Sequence, residues 1–157
     1  MIRLRAKGAE TGLSDMTPAG GRGIGEDDQL PDGKVWAILV GIARYNHMRS
    51  LKFTDDDAYR LSGFLQSPEG GALPEEQVHV LIDEAATKDQ INKHMHEILE
   101  KADSNDSVIL YFSGHGIKGS FLPNDYDKEK DNGIKYGDLL SYVSKTKAKN
   151  KIVIADV

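Results

Sequence analysis

Four short apolar runs stand out from a chain that is otherwise polar or mixed: Val35–Val40, Val78–Ile82, Val108–Phe112 and Ile152–Ala155. Each is rich in β-branched or aromatic residues and too short for a helix, so each reads as a strand buried on both faces, with Lys151–Val157 as the fourth buried strand. Between them the apolar residues recur at helical spacing. Asp55-Asp56-Asp57 opens the first such stretch, with acids where the helix dipole is positive, and Ala58, Leu61, Phe64 and Leu65 continue it. Ser67-Pro68-Glu69-Gly70-Gly71 ends it. Thr87-Lys88-Asp89-Gln90 is a capping box, followed by an apolar stripe of Ile91, Met95, Ile98, Leu99 and Ala102. A third helix runs from Tyr136 to Thr146 through Leu139, Leu140 and Val143, while Ile42–Leu51 and Ile117–Tyr126 read as loop and turn. The order β-α-β-α-β-α-β predicts a mainly parallel sheet with helices on both faces and right-handed crossovers.

Residues 1–33 break this pattern. Glycines and two prolines punctuate the segment, and its apolar residues are scattered, so it reads as a flexible leader ahead of one domain over 34–157. Gly20-Gly21-Arg22-Gly23-Ile24-Gly25 follows no strand and lacks the spacing of a dinucleotide loop. The net charge of −5 argues against nucleic acid and anionic lipid as partners. Lys145, Lys147, Lys149 and Lys151 form a local basic cluster, read as a solvated helix end. With no Cys, disulfides and thiolate metal sites are excluded within this chain. No run approaches a membrane span or a signal peptide, which makes cytoplasm the default location.

The chemistry gathers where the third apolar run ends, in Ser113-Gly114-His115-Gly116. In open α/β sheets, sites lie beyond the carboxyl ends of the strands. A histidine there can move protons near neutral pH, and flanking glycines leave room for another backbone. Ser113, two residues before His115, shares its face of the extended strand and reads as a pocket wall. Asp57 and Asp156 approach the same crevice, Asp57 from a loop entering the first helix and Asp156 from the end of the fourth strand. His94 and His96 point to different faces of their helix, so no shared metal and no metal site is expected. His47 and His79 read as surface or loop residues.

Taken together, Val35-Trp36-Ala37-Ile38-Leu39-Val40-Gly41-Ile42, Leu51 with Asp57-Ala58, Ser113-Gly114-His115-Gly116, Leu122-Pro123-Asn124-Asp125 and Ile152-Val153-Ile154-Ala155-Asp156-Val157 resemble the large-subunit half of a caspase-fold cysteine peptidase. The likeness is closer to metacaspases and their bacterial relatives than to animal caspases. It implies a three-layer α/β/α caspase-like (caspase-hemoglobinase) fold. It also implies that His115 is the catalytic histidine, that the N–H of Gly116 serves the oxyanion, and that Asp57, Asp156, Ser113 and Thr54 line the pocket for the residue before the scissile bond. That pocket would take Arg or Lys from a protein or peptide substrate.

The family's nucleophilic Cys matches the position directly after Val157, so this chain by itself is expected to be inactive. Its expected partner is the C-terminal small-subunit half of the same protein. No cofactor is expected, and a need for calcium, as in some metacaspases, stays open. Two other readings remain beside the peptidase. One is a caspase-like scaffold or regulator without catalysis. The other is a receiver-type signalling domain, which would want an acceptor Asp where this chain has Ser113-Gly114-His115.

Overall fold

The computed structural model describes residues 33–157; the leader expected over residues 1–33 lies outside them but for Gly33. In chain order the elements are β1 (Val35–Gly41), α1 (Thr54–Gln66), β2 (Val78–Ile82), α2 (Lys88–Lys101), β3 (Ser107–Ser113), β4 (Gly116–Ile117), β5 (Ser120–Phe121), β6 (Ile134–Lys135), α3 (Tyr136–Lys145) and β7 (Asn150–Asp156). The main sheet is four-stranded and wholly parallel, in the order β2-β1-β3-β7. Helices cover both faces, giving the α/β/α layering expected from the alternation of runs.

The pleat divides each strand between two cores. Ala37, Leu39 and Tyr111 turn toward α1, where they meet Ala58 and Leu65. Trp36, Ile38, Val40, Leu110 and Phe112 turn the other way, against Ile91, Met95 and Ile98 of α2 and Leu139 and Val143 of α3. The two central strands, β1 and β3, are therefore apolar on both faces, which is why their sequences do not alternate. Each buried aliphatic side chain contributes about 1.5–3 kcal/mol relative to exposure.

Asp106 fastens the amino ends of these strands. Its carboxylate accepts the amide of Lys34 (2.7 Å), the indole N–H of Trp36 (2.8 Å) and the amide of Asp103 (3.0 Å), and its carbonyl accepts from Lys149 (2.8 Å). Burial works to raise this carboxyl, but the three donors and the nearby Lys34 charge outweigh it and hold it below the usual carboxylate range.

Several sequence expectations need correction. The fourth strand is not buried. β7 is the sheet edge with all seven residues exposed, and Ile152, Val153 and Ile154 are 46%, 38% and 41% accessible. Its composition is that of a central strand, but among the described residues it pairs on one side only, with β3.

The segment after His115 is not merely turn-like. β4, β5 and β6 form a small antiparallel sheet, fixed to the end of β3 by Phe121 stacked on Phe112 with ring centroids 4.6 Å apart. Two-residue strands carry too few positions to show alternation.

Phe64 and Leu140 point to solvent, because the buried stripes of their helices run through Ser62–Leu65 and Leu139–Val143. Asp57 belongs to the first turn of α1 rather than to a loop before it. Thr87 does cap α2, accepting the amide of Gln90 at 3.3 Å. His79 is a strand residue half-buried against His94, not a surface or loop residue.

Candidate functional site

Registry brings the predicted residues to one end of the sheet. Gly41 stands opposite Ser113, and Ser113 opposite Asp156, at the carboxyl ends of β1, β3 and β7. The amide of Gly114 donates to the carbonyl of Asp156 (3.1 Å), so β3 and β7 stay joined past the last ladder pair. A Cβ placed on Gly116 would lie 3.1 Å from the Cβ of Val157. The His115-Gly116 backbone and the end of β7 are therefore immediate neighbours.

His115 is held from two directions by the loop that follows β1. Its Nε2 lies 2.7 Å from the carbonyl oxygen of Arg49. A carbonyl can only accept, so Nε2 carries the proton and the neutral ring keeps its lone pair on Nδ1. The backbone amide of His115 donates to the hydroxyl of Tyr45 (2.7 Å), and that hydroxyl donates to the carbonyl of Leu122 (3.2 Å). The Tyr45 and His115 rings lie 4.8 Å apart. Burial, opposed by its bond to His115 and aided by the Asp83 charge, pushes the Tyr45 hydroxyl up to about 12, so it stays protonated as the bridge requires.

This bridge explains the backbone around the histidine. Leu122 donates its amide to the His115 carbonyl at 2.9 Å, one of the two bonds of a hydrogen-bonded antiparallel pair. The second bond is replaced by the Tyr45 hydroxyl. The next pair, Gly116 with Phe121, is then of the non-bonded kind, which directs the Gly116 N–H away from β5. Gly114 must lack a side chain, since a Cβ there would sit 2.5 Å from the Tyr45 oxygen.

The loop itself is pinned by two buried polar residues. Asp83, with φ +44°, accepts the amides of Ala43 and Arg44 (2.8 Å each) and the guanidinium of Arg44 (2.7 Å). Burial favours its neutral form, but these three donors prevail and hold the carboxyl below the usual range. Asn124 donates to the Arg44 carbonyl (2.5 Å) and accepts from Asn46 (3.0 Å). Tyr45, Asp83 and Asn124 are thus part of what orients His115. None was singled out as a site residue from sequence, although Asn124 falls inside the quoted Leu-Pro-Asn-Asp stretch.

The first turn of α1 rests on the end of β1. A Cβ at Gly41 would meet the backbone of Thr54 and approach the Ala58 Cβ to 2.8 Å. This contact sets Thr54 and Asp57 next to the Gly41–Ser113 pair. The hydroxyls of Thr54 and Ser113 are buried without a hydrogen-bond partner. The Tyr111 hydroxyl is raised first by burial; the neighbouring Ser113 hydroxyl works against this, and the Asp57 and Asp156 charges add to it. Neither Arg49 nor Lys52 forms an ion pair with Asp57; the ion pairs found among the described residues lie elsewhere. The arrangement offers a histidine with an open nitrogen, a backbone N–H beside it, and two buried hydroxyls without partners at the end of the sheet that also carries Asp57 and Asp156.

Comparison with known proteins supplies the family. A family model described as Caspase domain matches residues 34–156. Metacaspase-1 of Eremothecium gossypii is 32% identical over 104 residues, covering 62% of this chain and 23% of the relative. Metacaspase-1 of Pyricularia oryzae is 33% identical over 108 residues, covering 65% and 27%. A probable protease from a Desulfuromonadales bacterium is 28% identical over 114 residues, covering 58% and 14%. The chain spans about a quarter of the length of the two metacaspases. Among the described residues no helix is long and apolar enough to cross a membrane.

Proposed function

The chain belongs to the caspase-domain family of peptidases, and from that membership we propose that it carries the histidine half of a thiol endopeptidase site that cleaves proteins after Arg or Lys. The observation that carries the reading is the His115 ring, tied through Nε2–H to the Arg49 carbonyl with Nδ1 left open. None of the 157 residues is a Cys, so the nucleophile comes from outside them. In the family's Asp-x-Cys pattern it follows Val157, and the contact between Gly116 and Val157 supports a thiol within reach of the histidine.

In the proposed reaction the thiol gives its proton to His115 and the thiolate attacks the scissile carbonyl carbon. A C–S bond forms and the carbonyl electrons move to oxygen. The N–H groups of Gly116 and of the Cys stabilise that oxyanion, a contribution of about 3–4 kcal/mol per donor in comparable sites. His115 protonates the departing amine as the C–N bond breaks, then accepts a proton from the water that attacks the thioester; the C–S bond breaks and that proton returns to the sulfur, restoring the thiol and the neutral histidine.

Specificity rests on Asp57, Asp156, Ser113 and Thr54. Two buried hydroxyls without partners are costly to leave unpaired, and two carboxylates at the same end of the sheet add negative charge. A substrate guanidinium or ammonium relieves that cost with charge-assisted bonds, whereas a substrate Asp meets like charge. The second reading, a caspase-like scaffold without catalysis, is separated from the first by which residue follows Val157.

A single experiment separates these readings: matched fluorogenic peptides ending in Arg, Lys or Asp, given to this chain and to the protein continued past Val157. The expected result is cleavage after Arg and Lys by the longer protein only, abolished by His115→Ala. No thiol-dependent cleavage by the longer protein would select the scaffold. Preference for Asp, or Arg cleavage untouched by Asp57→Ala, would overturn the pocket.

A further inference from the structure

We propose that His79, His94 and Glu97 bind one late first-row divalent cation of the Zn2+ class, tying the edge strand β2 to helix α2. His79 stands opposite Ile38, and Ile38 opposite Leu110, so His79 is level with a residue five positions before His115. At strand rise that is roughly 16 Å along the sheet, and two strands across, from the peptidase site. The proposal does not depend on that site.

The fold brings three ligands together from two elements. His79 shares the face of Ile38, which looks toward α2. On α2, His94 and Glu97 are one turn apart and therefore point the same way. The two imidazoles meet Nδ1 to Nδ1 at 2.7 Å, and the Glu97 carboxylate lies 3.5 Å from the His94 Nδ1. All three ligand atoms fall within 4.8 Å of one another. A tetrahedral ion with bonds of about 2.0–2.1 Å places its ligand atoms roughly 3.3 Å apart, a spacing that the two measured distances bracket. The third pair of ligand atoms, within 4.8 Å of each other, closes by up to about 1.5 Å when the ion binds.

Two ring nitrogens aimed at each other can share only one proton between them, and a cation satisfies both lone pairs at once. The donor set also states the metal. Two imidazoles and a carboxylate suit Zn2+ and its neighbours, whereas Mg2+ and Ca2+ call for oxygen shells. Three protein ligands leave a fourth position for water. His96 is excluded by its own packing, edge-on to Tyr142 with centroids 4.7 Å apart. Sequence spacing gives no reason to expect a metal here, because His94 and His96 diverge on their helix; the imidazole that meets His94 lies on a strand 15 residues earlier.

The test uses the untagged 157-residue chain. Titration calorimetry with Zn2+ is expected to give one site per chain, and thermal unfolding at excess Zn2+ a Tm higher by several degrees. Co2+ in place of Zn2+ should show the visible absorption of a tetrahedral centre. His94→Ala and Glu97→Gln, both on a partly exposed helix face and so safe for the fold, should each weaken Zn2+ at least tenfold. His96→Ala should leave it unchanged, and Ca2+ should not compete. Absence of Zn2+ binding at micromolar concentration, or binding that survives His94→Ala, would overturn the site.

Discussion

A single hydroxyl stands between His115 and the strand beside it. Tyr45 accepts from the His115 amide and donates to the Leu122 carbonyl, and its loop also supplies the Arg49 carbonyl that fixes the ring. Tyr45→Phe removes the bridge while keeping the ring in place. In the complete protein we expect kcat to fall about 10–100-fold with KM little changed, since small misplacements of a catalytic group carry penalties of that size. The Tm should drop by only a few degrees, in line with about 1 kcal/mol for one hydrogen bond. Because the tyrosine titrates near 12, the pH–rate profile of the variant should keep its shape; a shifted profile would show that Tyr45 acts on the proton itself. The histidine motif was legible because a β-branched run ending in Ser-Gly-His-Gly is a local pattern. Tyr45 was not, since it lies 70 residues from the amide it holds and a tyrosine in a polar loop carries no period.

Elements obey their own rules only as far as their neighbours allow. Helix α2 is the most self-consistent, with Thr87 as its cap and a stripe that is buried as the spacing predicts. Thr87→Ala should lower stability by about 1 kcal/mol, readable by urea unfolding at unchanged m-value. Strand β7 is the opposite case. Its apolar side chains face outward on both sides of an open edge, the arrangement that templates pairing with another chain. We expect the 157-residue chain to associate with rising concentration in light-scattering measurements, and Ile154→Lys to suppress this. Monomeric behaviour of the unmodified chain at high concentration would refute it.

At the scale of the molecule, two buried carboxylates link distant parts of the chain. Asp106 joins the starts of β1, β3 and β7, and Asp83 pins the loop after β1. Both are held below the usual carboxylate range in the folded protein. A depressed folded pKa means that the folded state binds the proton less readily than the unfolded chain. The stabilisation is therefore complete above the unfolded value, about 4, and is lost as pH falls through it toward the folded values. Thermal unfolding should show a loss of Tm that begins near pH 5 and steepens below pH 4. Asp106→Asn should cost about 1–3 kcal/mol at neutral pH and flatten that acid slope; an unchanged slope would assign the acid sensitivity elsewhere.

The sequence by itself determined the alternation of strands and helices, the parallel sheet, and the family to which Ser113-Gly114-His115-Gly116 belongs, because periodicity and short motifs are written in neighbouring residues. Tertiary structure alone decided which apolar strand would be central and which would be an edge. Val108–Phe112 and Ile152–Ala155 read alike, and only position in the sheet buries the first and exposes the second. It likewise decided that Thr54 and Ser113 would be hydroxyls without partners, that Tyr45, Asp83 and Asn124 would orient a histidine far from them in sequence, and that His79 would meet His94. Each of these depends on which segments the sheet order and crossovers bring together, and contact between distant residues leaves no period in the chain for a sequence to display.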